Sequence, residues 1–203
     1  MNALLIATTN PGKLREIEGI LTGIPFELKT LKDFPVIDEP AETGQTFGEN
    51  ARLKALYYAA ATGELTVADD SGIEIDALDR APGIHSSRWH GSDYRVKFRK
   101  IRALLQERGL ATSDARFVCH LALARGAQIL YETEQTVEGR IADMPAGDKG
   151  FGYDPIFLYP PLGVTLAQIE RDEKSRISHR GKAFVALREF LRRSPALLGL
   201  FQP

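Results

Sequence analysis

Cysteine is almost absent from this chain of 203 residues, which contains only Cys119. An intramolecular disulfide is therefore excluded, and this suits a reducing compartment. An excess of positive charge is also missing, because 26 lysines and arginines nearly balance 27 aspartates and glutamates. This balance argues against a general nucleic-acid-binding protein, which usually carries a basic excess.

Long apolar runs are lacking too, since the run near the N-terminus, Ala3–Ala7, ends at the polar Thr8. It is too short for a transmembrane helix or a signal peptide, and no basic residue precedes it. We expect a buried strand here, in a cytoplasmic protein with no membrane partner. Without repeats or a long Gly/Ser linker, residues 1–203 are predicted to form a single domain.

Strand and helix signals alternate along the chain. They predict an α/β fold with a mixed β-sheet flanked by helices. Strands are expected at Ala3–Thr8, Leu65–Ala68, Ala115–Arg125, Gln128–Glu138 and Pro155–Tyr159, and the third and fourth of these form a hairpin that turns at Gly126. Helices are expected to begin after the caps Asn10, Thr46 and Ser178, and also at Tyr94–Arg108 and Leu166–Glu173.

The turn Thr8-Thr9-Asn10-Pro11-Gly12-Lys13 joins the first strand to the first helix. A helix N-terminus has unpaired N–H groups and a partial positive charge, and the threonine hydroxyls and Lys13 add further donors. The turn is a candidate phosphate site. Taken alone, it is more often only a capped helix with a solvated lysine.

Two adjacent carboxylates occur in Asp69-Asp70-Ser71-Gly72, which we place at the end of a strand. Neighbouring side chains in a strand point to opposite faces, so one acid can be structural while the other is functional. A carboxylate at this position is a plausible Mg²⁺ ligand. A simple polar turn is about as probable from the residues alone.

Two later segments combine backbone freedom, aromatic rings and positive charge. The first is the loop from Gly147 to Pro155, in which glycines allow a ligand to approach the backbone and Phe151 and Tyr153 offer stacking faces. The second is the basic turn from Lys174 to Gly181, where positive residues in a first helical turn oppose the helix dipole unless an anion or an acceptor compensates. Each segment alone also fits a connecting loop or a solvated turn.

Together with further motifs, these segments occur in a specific order. The motifs are Thr8-x-Asn10-x-x-Lys13, Glu42-Thr43-Gly44-x-Thr46-Phe47-x-Glu49-Asn50-Ala51-x-x-Lys54, Asp69-Asp70-Ser71-Gly72, Pro82-Gly83-Ile84-x-Ser86-x-Arg88, Gly150-Phe151-Gly152-Tyr153-Asp154-Pro155 and Ser178-His179-Arg180-Gly181. The set resembles the inosine triphosphate pyrophosphatase family, also called dITP/XTP pyrophosphatases. The resemblance covers residues 3 to about 192. One departure is that the family often has an Asn on the helix after Gly91, whereas this chain has none from 51 to 203.

The resemblance implies a fold, an activity and a set of site residues. The fold would have a long central mixed sheet and two lobes, with the active site in the cleft between them. The activity would be Mg²⁺-dependent hydrolysis of ITP, dITP and XTP to the monophosphate and pyrophosphate by a homodimer. The implied residues are Thr8, Thr9, Asn10, Gly12 and Lys13 for the triphosphate; Asp70 for catalysis and metal; Glu42 for metal; Ser71 for substrate; and Phe151, Gly152, Tyr153, Asp154, Lys174, His179 and Arg180 for the nucleoside.

Other functions fit the residues less well. The first turn lacks the Gly-x-x-x-x-Gly-Lys-Ser/Thr pattern of a P-loop. A zinc hydrolase is disfavoured because the four histidines show no ligand spacing with Cys119. A nucleotide-binding sensor without catalysis remains the alternative from another class, although the candidate catalytic acid Asp70 is present.

Overall fold

The computed structural model describes residues 3–194, so residues 195–203 of the tail lie outside it. Seven strands form one mixed sheet in the order β2-β1-β3-β4-β5-β6-β7. β1 pairs in parallel with β2 and β3, and β6 pairs antiparallel with β5 and β7. The predicted α/β fold with a mixed sheet is confirmed. The strands are β1 (Ala3–Ile6), β2 (Glu27–Thr30), β3 (Leu65–Ile75), β4 (Asp114–Arg125), β5 (Gln128–Ile141), β6 (Phe157–Tyr159) and β7 (Val164–Thr165).

Five α-helices accompany the sheet: α1 (Pro11–Ile20), α2 (Phe47–Thr62), α3 (Tyr94–Glu107), α4 (Arg171–Ile177) and α5 (His179–Arg193). None of the described helices is both long and apolar enough to span a membrane. Short 3₁₀ turns precede β6 and α4, at Asp154–Ile156 and Leu166–Gln168.

The chain divides into two compact units. The first unit consists of Met1–Asp70, Cys119–Gln135 and Arg180–Pro203, and the second consists of Ser71–Val118 and Thr136–His179. Each has its own hydrophobic core of buried side chains. In the first unit, for example, Leu4, Ile17 and Phe184 belong to one cluster. In the second unit, Ile73, Ile101 and Phe157 belong to another.

The helix starts predicted after Asn10 and Thr46 are confirmed, and the caps explain them. The Asn10 side chain accepts hydrogen bonds from the backbone N–H groups of Gly12 and Lys13, and Pro11 occupies the first turn. The Thr46 hydroxyl accepts from the Glu49 N–H at 3.1 Å. The second half of the predicted capping box differs, because the Glu49 carboxylate accepts from the N–H of Gln45.

Several predicted boundaries are wrong. The strand expected from Pro155 begins only at Phe157, because Asp154–Ile156 form a 3₁₀ turn, and the strand expected to end at Glu138 continues to Ile141. The strand expected to end before Asp69 continues to Ile75, so the two aspartates lie inside β3. The helix expected at Leu166–Glu173 is a 3₁₀ turn followed by α4, which begins only at Arg171. No clear pattern predicts β2 or β7, which are strands of only four and two residues.

Candidate functional site

Asp69 and Asp70 are both buried in β3 but have different partners. The side chain of Asp69 faces Lys13 and Arg180, whereas that of Asp70 faces Lys54 and Asn50. This separation agrees with the alternation of side chains along a strand. The two carboxylates therefore have different ion-pair partners within the first unit.

Asp69 is held by two cations. Its Oδ2 lies 2.9 Å from Lys13 Nζ and 3.5 Å from Arg180 Nε, and Arg180 also contacts Glu16 at 2.8 Å. Burial by itself would raise the pKa of Asp69, but attraction from Lys13 and Arg180 outweighs it and holds this pKa well below its usual range. Asp69 is therefore an ionised structural carboxylate. The buried thiol of Cys119 donates to it at 3.8 Å, and burial raises the pKa of this thiol.

Asp70 has a different pKa shift. Lys54 Nζ lies 2.8 Å from Asp70 Oδ1 and 3.0 Å from Glu42 Oε1, so one ammonium bridges two carboxylates. Burial raises the pKa of Asp70, although Lys54 and Lys13 act in the opposite direction. Burial also disfavours the charge on Lys54, but Asp70, Asp69 and Glu42 outweigh this effect and raise its pKa.

Asn50 fixes the loop that carries Glu42. Its Nδ2 donates to Asp70 Oδ2 at 3.3 Å, while its Oδ1 accepts the Gly44 N–H at 2.9 Å. A Cβ at Gly44 would lie 2.6 Å from Asn50 Oδ1, so only glycine fits this approach. The sequence alone assigns no role to Asn50, because its spacing from Asp70 does not indicate this contact.

The donor set around Lys54 fits a hard divalent cation. Carboxylate oxygens of Glu42 and Asp70 converge on one positive centre, and such oxygens are the ligands that Mg²⁺ prefers. Among residues 3–194, no group of three or more His, Cys, Asp or Glu side chains is arranged to hold a metal by itself. Mg²⁺ commonly takes one or two carboxylates and completes its coordination shell with water and substrate phosphate, so two carboxylates such as Glu42 and Asp70 are compatible with it.

The turn before α1 is ordered by its own side chains. Thr8 Oγ1 accepts the Asn10 N–H at 3.2 Å, and Asn10 Oδ1 accepts from Gly12 and Lys13. The Lys13 ammonium is directed at Asp69, and Thr9 is exposed. A phosphate bound at this turn would therefore share the Gly12 and Lys13 N–H groups with Asn10, and the Lys13 ammonium with Asp69.

The second unit contains the glycine-rich loop. Asp154 Oδ2 lies 2.5 Å from Lys174 Nζ and accepts the Phe151 N–H at 2.8 Å. The ammonium of Lys174 also lies 5.3 Å from the centre of the Phe151 ring. Gly150 has φ +72°, and a Cβ there would overlap the Asp154 carboxylate. Phe151, Asp154 and Lys174 are thus brought together, and the glycine permits their approach.

Other predicted nucleoside residues have different surroundings. Tyr153 is buried, and its hydroxyl donates to the Ser86 carbonyl at 2.9 Å. The ring of His179 is buried and stacks on Phe117, with ring centres 4.8 Å apart. Gly152 has φ +69°, and Ser71 is partly buried in β3. Of the two predicted stacking rings, Phe151 is the less buried one.

The predicted site residues fall into two sets. The first unit contains the phosphate and metal candidates together with Arg180, and the second contains Ser71, the glycine-rich loop, Lys174 and His179. Arg180 follows His179 directly in the sequence, but its guanidinium lies with Glu16 and Asp69 of the first unit. Glu16 was not predicted, because nothing in its sequence context marks it as the partner of a residue so far along the chain. The binding roles of all these residues stay predictions.

Comparison with known proteins gives one consistent family. The sequence model of the Ham1 family matches residues 4–190. A dITP/XTP pyrophosphatase of Exiguobacterium sp. is 48% identical over 89% of this chain and 92% of its own length. Another, from Geobacillus kaustophilus, is 43% identical over 93% of this chain and 94% of its own length.

Solved structures agree. A HAM1 protein from Coxiella burnetii superposes with a TM-score of 0.87 at 37% identity, covering 95% of this chain and 100% of that one. The Ham1 protein of Staphylococcus aureus gives a TM-score of 0.84 at 35% identity, with the same coverage of both chains.

Proposed function

Because this chain belongs to the Ham1 family, we propose that it is a Mg²⁺-dependent pyrophosphatase that hydrolyses ITP, dITP and XTP. The products would be the nucleoside monophosphate and pyrophosphate, and the reaction would remove non-standard purines from the nucleotide pool. The observation that carries the proposal is the cluster Glu42–Lys54–Asp70, in which a buried and a half-buried carboxylate converge on one bridging ammonium. Relatives named dITP/XTP pyrophosphatase support the choice of substrate.

The phosphate chain needs positive charge. A nucleoside triphosphate carries about four negative charges at neutral pH, so cations are required to bind it and to stabilise the transition state. Lys13 and Lys54 are the candidate cations of the first unit. Glu42 and Asp70 would hold Mg²⁺, which would supply charge neutralisation on the phosphate oxygens. Thr8, Thr9, Asn10 and Gly12 would provide hydroxyl, amide and backbone contacts.

Asp70 is the candidate general base. Its carboxylate would accept a proton from water as the water oxygen attacks the α-phosphorus. The bond from that phosphorus to the bridging oxygen would break, and pyrophosphate would leave with the bonding electrons. The raised pKa of Asp70 supports this role, because a more basic carboxylate accepts a proton more readily. Glu42 and Lys54 would keep the carboxylate oriented.

Base selection would depend on the 6-oxo group. Hypoxanthine and xanthine present an acceptor at position 6, whereas adenine presents a donor. A buried site that offers donors there can discriminate by roughly 10⁴-fold, because the wrong base leaves them unpaired. Lys174, His179, Arg180 and the backbone amides near Phe151 are candidate donors. Phe151 would stack on the base, and Asp154 orients Lys174 at 2.5 Å.

We also propose that the protein acts as a homodimer in the cytoplasm. The family resemblance carries the dimer, and the single cysteine suits a reducing compartment. Size-exclusion chromatography with light scattering should give a mass twice the 22.4 kDa of one chain. A mass of one chain at micromolar concentration would contradict the dimer.

The activity can be tested by pyrophosphate release. With Mg²⁺, purified protein should release pyrophosphate rapidly from dITP, ITP and XTP, and much more slowly from ATP and GTP. Removal of the metal with EDTA should stop the reaction, and added Mg²⁺ should restore it. Release of orthophosphate would point to another phosphatase chemistry. Binding without any release would favour a nucleotide sensor.

The pH dependence provides a further test of Asp70. If its carboxylate is the base, kcat/KM should rise as the pH rises through its raised pKa. Lys54 lowers this pKa and Glu42 raises it, so Lys54→Met should move the acid limb to higher pH and Glu42→Gln to lower pH. The pH profiles of both variants and of the control Lys100→Met would be compared. Limbs that move in the same direction would contradict this assignment.

A further inference from the structure

Lys97 is a fully buried lysine in the second unit with an unusual set of partners. Its Nζ donates to the backbone carbonyls of Ser86 at 3.0 Å and Ser87 at 2.7 Å. The same ammonium lies 4.3 Å from the centre of the Tyr94 ring and 5.7 Å from that of Tyr153. Within the part of the chain that the structure describes, Lys97 forms no ion pair with a carboxylate.

A lysine in such a place is costly unless its contacts compensate. Burial disfavours the ammonium and lowers the pKa of Lys97. Carbonyl oxygens and the faces of aromatic rings both favour the charged form, and the structure supplies both. An apolar side chain would fill the same volume without the desolvation cost. The carbonyl contacts are therefore the feature that an apolar residue could not replace.

The carbonyl that Lys97 holds belongs to a residue that anchors β3. Ser86 Oγ accepts the Ile73 N–H at 2.9 Å and donates to the Gly83 carbonyl at 2.6 Å. A Cβ at Gly72 would overlap Ser86 Oγ and the Gly83 carbonyl, so the Ser86 side chain packs directly against the β3 backbone. The residue before Gly72 is Ser71, a predicted substrate contact. The position of Ser86 thus determines the course of β3 directly after Ser71.

The same carbonyl also anchors the glycine-rich loop. The Tyr153 hydroxyl donates to the Ser86 carbonyl at 2.9 Å, beside the Lys97 ammonium. Tyr153 lies two residues after Phe151 in this loop. The next residue, Asp154, accepts a hydrogen bond from the Phe151 N–H and forms an ion pair with Lys174. One residue, Ser86, therefore connects the two segments: its carbonyl holds the loop predicted to bind the nucleoside, and its hydroxyl holds the strand that carries Ser71.

We propose that Lys97 is a positioning residue. Its buried ammonium holds the Ser86–Ser87 backbone where Ser86 contacts both Ile73, two residues after Ser71 in β3, and Tyr153 in the glycine-rich loop. Lys97 would not touch the substrate. Its effect would be on nucleotide affinity and base selection, through the alignment of two substrate-binding segments. This inference rests on the proposed function, because it assumes that these segments bind a purine nucleotide.

The central test replaces Lys97 by Met, which preserves the length and removes the donors. We expect KM for dITP to rise about 10- to 100-fold, because even a small displacement of binding groups weakens their contacts with the substrate by such a factor. The preference for dITP over dATP should fall, while kcat changes less. Lys97→Gln retains an amide donor and should recover part of the loss. Lys100→Met, on the same helix, should behave as the wild type.

Tyr153→Phe keeps the ring and removes only the hydroxyl, so the protein should fold even if Lys97→Met does not. Loss of one hydrogen bond to the shared carbonyl should raise KM by about 2- to 10-fold. Because both groups act on the same carbonyl, the effects of Lys97→Gln and Tyr153→Phe should not be additive. Urea unfolding measured in parallel separates stability from affinity. Variants that lose stability but keep the wild-type KM and base preference would overturn the inference.

Equilibrium binding of a non-hydrolysable ITP analogue distinguishes this inference from the proposed function. A wild-type protein that binds the analogue but cleaves no nucleotide would refute the pyrophosphatase, and the Kd values of the variants would still test Lys97. A weaker Kd in Lys97→Met, with partial recovery in Lys97→Gln, would support positioning. A wild-type protein that neither binds nor cleaves would refute both.

Discussion

Replacement of Asp70 by Asn is expected to reduce turnover of dITP by about 10²–10⁴-fold or more, the usual contribution of a positioned general base. Asn has nearly the same shape but cannot accept the proton, and it is a weaker ligand for Mg²⁺. Pyrophosphate release at saturating dITP and Mg²⁺ would measure the loss. Wild-type turnover in this variant would remove Asp70 from the mechanism.

The same variant should remain folded, and the sign of the pKa shift explains why. The folded-state pKa of Asp70 is raised, so folding disfavours its ionised form relative to the unfolded chain. A neutral Asn removes this penalty, and Lys54 still has Glu42 as a partner at 3.0 Å. The urea midpoint should therefore stay near that of the wild type. Asp76→Asn, at an exposed position, is the matched control for both measurements.

The secondary structure was largely predictable because local signals decide it. The Asn10 and Thr46 caps fix the starts of two helices, and the turn at Gly126, with φ +56°, fixes the hairpin. The short strands β2 and β7 were not predictable, since a strand of few residues has too little periodicity to recognise. The extension of β3 past Asp70 is a tertiary effect, because the polar Asp-Asp-Ser-Gly run favours a turn by itself.

The site could be predicted only as a set of candidate residues. The motifs identified Asp70, Lys13 and Glu42, but other contacts that order the two units join residues far apart in the sequence. Arg180 pairs with Asp69, and Lys97 holds the Ser86 carbonyl; both contacts depend on the folded backbone. The segment Tyr94–Arg108 is predicted as a helix, and nothing in its sequence indicates that Lys97 is buried.

Unlike Asp70→Asn, which should leave the stability of the fold unchanged, Asp69→Asn should destabilise the protein. Asp69 is ionised and buried, and both Lys13 and Arg180 depend on its charge. Removal of one partner from a buried ion pair leaves an uncompensated charge and costs about 3–5 kcal/mol. We expect the free energy of unfolding in urea at pH 7 to fall by this amount. Arg180 keeps Glu16 at 2.8 Å, so the lower end of the range is favoured.

The pH dependence of stability distinguishes this role from simple loss of packing. The folded-state pKa of Asp69 is lowered, so its contribution is fully present above the unfolded value and disappears as the pH falls through the folded one. The stability difference between wild type and Asp69→Asn should therefore be constant near neutral pH and shrink towards strongly acidic pH. A packing defect would give a difference that does not change with pH. A difference that instead grew as the pH fell would mean that Asp69 is protonated in the folded protein, and it would reverse the assignment of the two aspartates.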